Sequence, residues 1–69
     1  MNIKQKIIAN GVKNLRAFGY PKVTEENILT DKIYSAFFES LLNDNFGNGE
    51  EIDKALREIQ ADILASRGA

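Results

Sequence analysis

The side chains best suited to chemistry in this sequence are acids. Glu51, Glu58 and Asp62 recur at a spacing that sets them along one edge of a helix. Three carboxylates so placed could hold a divalent cation or take part in proton transfer. A second candidate is the run Asn43-Asp44-Asn45-Phe46-Gly47-Asn48-Gly49-Glu50-Glu51, rich in oxygen ligands and glycine. A calcium loop of the EF-hand kind needs oxygen ligands at alternate positions, glycine at the sixth and a bidentate glutamate at the twelfth. Counting from Asn43 places Asn48 sixth and Lys54 twelfth, and counting from Asp44 places Phe46 third and Ala55 twelfth. Both registers fail, so the run is expected to be a helix C-cap followed by a turn. The carboxylate edge is expected to be a solvated face.

The chain has no cysteine and no histidine. Disulfides, thiolate metal sites and the commonest neutral metal ligand are therefore excluded, and so are catalytic triads in their usual forms. No unperturbed side chain titrates near pH 7. A glycine-rich phosphate loop is also missing. The expectation is a protein without catalysis, cofactor or metal.

Positive charge is unevenly placed, although the net charge is −1. Lys4, Lys6, Lys13, Arg16 and Lys22 precede every acid, and the later chain carries all the acids against Lys32, Lys54, Arg57 and Arg67. One reading is that a basic first helix packs against acidic later ones through rim ion pairs of small individual worth. The other is a binding surface, in which Lys6, Lys13 and Arg16 contact nucleic acid. Against it, neither later helix offers a basic recognition face, and the acidic first turn of the last helix would repel phosphate. Nucleic acid is accordingly the alternative partner and a protein the main one.

These residues need elements to carry them, and the periodicity predicts an all-α fold: one helical domain over 1–69, built as a small bundle of three main helices and one short one. The helices are expected near 3–18, 24–29, 31–45 and 50–66. In the first, Ile7, Ile8, Val12, Leu15 and Phe18 follow a helical rhythm, with Lys6, Lys13 and Arg16 turned to solvent. Gly11 interrupts that apolar arc, where another helix crossing closely would explain it. Gly19 and Pro21 then end the helix. Thr24 is suited to cap the short helix, with Val23 and Ile28 at the spacing of a hydrophobic staple. Thr30 or Asp31 caps the central helix. Ile52, Leu56, Ile59 and Ile63 form the stripe of the last one, leaving Leu64 off it and Arg67-Gly68-Ala69 expected to fray.

The heaviest apolar load lies in the central segment, Thr30–Asn45. Ile33, Tyr34, Phe37, Phe38, Leu41 and Leu42 cover about half its circumference, with Lys32, Ser35, Ala36, Glu39, Ser40 and Asn43 on the other half. One neighbouring helix cannot cover so wide a face, so several elements, or a partner, must close over it. A core of this size supplies only ~3–5 kcal/mol alone. Self-association would add to it, and a homodimer is among the expected assemblies. Tyr20, Phe46 and Leu64 are the candidate partner-binding residues.

The run Gly19–Gly47 resembles small phage- or prophage-encoded helical proteins of unknown function through Tyr20-Pro21, Asn27, Thr30-Asp31, Tyr34, Phe37-Phe38 and Leu41-Leu42. The resemblance implies a compact accessory protein that binds a host or phage protein, inhibitors of host defence among them, and it implies no catalytic residues. No stretch reaches the ~20 apolar residues needed to span a bilayer. Lys4 and Lys6 before Ile7-Ile8-Ala9 do not make a signal peptide, because Asn10, Gly11 and Lys13 break the apolar run. A cytoplasmic location is expected.

Overall fold

The computed structural model describes residues 2–68. It contains α1 (Ile3–Ala17), α2 (Asn27–Thr30), α3 (Lys32–Asn43) and α4 (Glu50–Gly68). The all-α expectation holds, with three main helices and a short one. Asn2 caps α1 by accepting from the Gln5 amide at 2.8 Å. At the other end Gly19 turns left-handed, at φ 108°. The Gly19 amide donates to the Arg16 carbonyl and the Tyr20 amide to the Leu15 carbonyl, both at 3.1 Å. This is the paired bonding of a Schellman stop, which satisfies carbonyls that the helix would otherwise leave open.

The short helix starts later than Thr24–Leu29 predicts, because Thr24 and Asn27 first cap each other. The Asn27 amide donates to Thr24 Oγ1 at 3.1 Å, and the Thr24 amide donates to Asn27 Oδ1 at 2.7 Å. Asn27 Nδ2 also donates to the Lys22 carbonyl at 3.0 Å. Both staple residues, Val23 and Ile28, are fully buried. Asp31 then breaks α2 from α3: its ψ of 133° is extended, and its carboxylate accepts from the Ile33 and Tyr34 amides. After α3, Gly47 and Gly49 take positive φ and turn the chain into α4. The Gly47 amide donates to Asp53 Oδ1 at 3.1 Å, which ties the loop to the new helix.

The core gathers Ile8, Val12 and Leu15 from α1, Val23 and Ile28 around α2, Phe38 and Leu42 from α3, and Leu56, Ile59 and Ile63 from α4. Helices α3 and α4 run antiparallel: Gln60 bonds Asn43 at the end of α3, whereas Arg67 reaches Ser35 and Glu39 nearer its start. Lys4 pairs with Asp62 at 2.7 Å and clamps α1 to α4, in line with the basic-on-acidic packing read from the charge order. No described helix is long and apolar enough to cross a membrane.

Three expectations are corrected. First, α3 is rotated from the face its composition suggests: Ile33 and Phe37 are exposed, and Ser35 is buried. The cause lies at Gly11, where α1 approaches so closely that a Cβ would overlap Phe38 Cε1 and stand 2.8 Å from Phe38 Cδ1. Seating Phe38 in that notch turns Phe37, ~100° away around the helix, outward. Second, Phe18 is exposed, because the turn at Gly19 lays Tyr20 rather than Phe18 against the core flank. Third, α4 does not end at Ser66. It continues through Gly68, and Arg67 Nη2 donates to Ser35 Oγ at 3.0 Å while Nη1 meets Glu39 Oε1 at 3.1 Å. Ala69 lies outside the described residues.

Candidate functional site

Among the described residues, four large apolar side chains are exposed: Phe18 at 74%, Ile33 at 58%, Phe37 at 45% and Leu64 at 61%. Phe18 and Phe37 border one notch, Ile33 lies beside Phe37 on α3, and Leu64 lies on α4. Ile33 and Phe37 stand one turn apart on the outward crest of α3, with the small exposed residues Ala36 and Ser40 beside them. Phe18 lies on one flank, where it joins Leu15, Tyr20, Phe37, Ser40 and Leu41 around an uncharged notch of about 300 Å³. Leu64 lies on the other flank. On α4 it falls between Gln60 and Arg67, and both of these reach across to α3.

An aromatic cluster stiffens this face. Tyr20 meets Tyr34 edge-on at 5.9 Å between ring centroids, and Phe37 at 5.3 Å with a tilt of 37°. The rings hold the Tyr20 turn and α3 together and leave the Phe37 edge open to solvent. Near the start of α3, an open depression of about 780 Å³ is lined by Thr30, Lys32, Ile33, Ala36 and Arg67. Lys32 stands exposed at the N-terminal end of the crest, beside Arg67, which is paired with Glu39, and Asp44 stands exposed at the C-terminal end.

The candidate partner residues divide. Tyr20 is half-buried but borders the notch, and Leu64 is exposed on α4. Phe46 is packed against the core and does not join them. Phe18, Ile33 and Phe37 were assigned to the core in the sequence reading and are in fact the main exposed groups. Helical periodicity ranks them as apolar without saying which part of a wide arc a neighbour covers, so only the two glycines, at the notch and at the Schellman turn, carried a usable signal.

The alternative face is weaker than its composition suggests. Lys6 and Lys13 are exposed on α1. Arg16 donates from Nε to the Val23 carbonyl at 3.0 Å, so its guanidinium holds the loop after Tyr20. Lys6 borders an open groove of about 920 Å³ whose apolar floor includes Ile7, Phe38, Leu41 and Leu56. On the acidic edge of α4, Asp62 is paired with Lys4, whose ammonium is held above its ordinary pKa by the Asp62 hydrogen bond, against an opposing desolvation and with lesser help from the Asp62 and Glu58 charges. No group of three or more metal-ligating side chains converges among the described residues.

The chain matches no protein-family model, no curated protein and no solved structure.

Proposed function

We propose that the protein acts without catalysis, by associating with another protein through the crest of α3 and its two flanks. The observation that carries this reading is the exposure of Ile33 and Phe37 along α3, with Phe18 across the notch from Phe37 and Leu64 on α4. Their exposed area totals roughly 400 Å², within the range of the largest apolar patches of monomers, which are often functional, and here it falls on a chain of only 69 residues. An apolar crest bordered by charge, Lys32, Asp44 and the Arg67–Glu39 pair, is the composition of an interface core and rim. The phage-like run Gly19–Gly47 adds a kind of role, that of an accessory protein binding a host or phage protein. The nucleic-acid reading has less support: with Arg16 engaged, Lys6 and Lys13 could make only about two phosphate contacts, which are weak at physiological salt.

Site-directed photo-crosslinking tests the proposal. Benzoylphenylalanine is placed at Phe37 and, as a control, at Lys13 on the solvent side of α1, and adducts are identified by mass spectrometry after irradiation of expressing cells. Adducts from position 37 and none from position 13 are expected. Absence of adducts at 37, or equal labelling at both, would refute it.

A further inference from the structure

We infer that the partner on this face is a second copy of the chain, with the two α3 helices packed antiparallel across a two-fold axis near position 38. The inference rests on the association reading above and names its partner.

Three features of α3 share that centre. Lys32 and Asp44 are exposed at the two ends, and position 38 lies midway between them. At 1.5 Å per residue they are ~18 Å apart along the axis, so an antiparallel copy brings Lys32 beside the copy's Asp44, and this pairing occurs twice. Ala36 and Ser40 are also centred on 38. Each would face the other across the axis, and two small residues in contact allow helices to approach to ~8 Å. Phe37, the largest group on the crest, lies within one residue of the centre and would meet its own mate. A helix face whose small residues and opposite charges invert about one point, with Phe37 beside it, is complementary to itself, which is what an isologous interface requires. Asp31, the other acid near Lys32, is occupied in capping Ile33 and Tyr34.

The scale also fits. A stable pair buries ~800 Å² on each partner; Ile33 and Phe37 supply its apolar centre, and Phe18, Leu64 and the polar rim the flanks. A foreign partner would need no relation between Lys32 and Asp44.

Sedimentation equilibrium on the full chain from ~1 to ~200 µM tests the inference, with far-UV circular dichroism as a control for folding. The expected mass is twice the 7.7 kDa of one chain. Phe37→Glu should sediment as a monomer, and Ile33→Ser should weaken the pair should the first variant lose helicity. Lys32→Glu and Asp44→Lys should each weaken dimerisation about tenfold, since each turns two attractions into repulsions. Both place the new charge where the helix dipole favours it, so neither should cost helix. The double variant Lys32→Glu/Asp44→Lys should regain the wild-type affinity. A mass that stays at one chain throughout, a dimer indifferent to Phe37→Glu, or a double variant as weak as the singles would overturn the inference. A monomer whose position-37 probe still labels a different protein removes the second copy and leaves the association reading standing. A monomer with no adduct removes both.

Discussion

Gly11→Ala separates two accounts of the same glycine by the sign of its effect. If Gly11 were only a flaw in α1, alanine would stabilise the protein by ~1 kcal/mol through helix propensity. The structure places it instead at the closest approach of α1 to α3 and α2. A Cβ there would overlap Phe38 Cε1, with Phe38 Cδ1 at 2.8 Å and Ile28 Cδ1 at 3.1 Å. Ile28 is fully buried, and Phe38, 1% exposed, could move only into the groove beside Lys6, which would strip its ring from the core. Overpacking a filled core costs ~1–3 kcal/mol, and the severity of the ring overlap puts this case in the upper half. Set against the propensity gain, the net is a loss of about 1 kcal/mol, or ~4–8 °C in Tm for a domain of this size. Urea unfolding followed by circular dichroism reads it as a lower midpoint. Phe38→Leu should be destabilising alone yet should relieve Gly11→Ala, giving a favourable coupling of about 1 kcal/mol in the double-mutant cycle. A Gly11→Ala protein more stable than wild type, or strict additivity with Phe38→Leu, would refute the notch.

Two further outcomes follow from the contacts of α4. Arg67→Ala should lower stability by about 1 kcal/mol by removing the bonds to Ser35 and Glu39, and Arg67→Lys should recover only part, because an ammonium lacks the planar fork that serves both; urea midpoints check this. The Lys4–Asp62 clamp should respond to alkali. Lys4 has its pKa raised above the ordinary 10.5, so its contribution is full below that value and is lost as pH climbs through the higher folded-state value. The stability difference between wild type and Lys4→Met should therefore hold up to pH 10.5 and shrink as pH rises beyond it, as thermal melts would show.

Much of the local architecture was legible in the sequence because its causes are local. Gly19 stops α1, Val23 and Ile28 bracket the short helix, and Leu64 falls off the stripe of α4, all from spacing and residue type, while of the two expected caps of α3, Thr30 and Asp31, the structure uses Asp31. Gly11 also announced a close crossing, although not which side chain it admits. Asn27 was the exception. It replaces the usual glutamate or glutamine of a capping box, and its bond to Thr24 delays the start of α2.

The sequence alone settled that this chain folds as helices, and that its middle is too apolar for a single neighbour to cover. Those properties follow from hydrogen bonds and side-chain periods within a few residues. Which part of the apolar arc is covered was decided only by the tertiary structure. The rotation of α3 depends on Phe38 entering a gap in α1 that lies 27 positions earlier in the chain, and on Arg67 reaching the buried Ser35 across a separation of 32 residues. A helix with apolar groups on half its circumference can bury several different sectors at similar gain, so contacts between distant segments choose among them, and here they leave Ile33 and Phe37 facing outward.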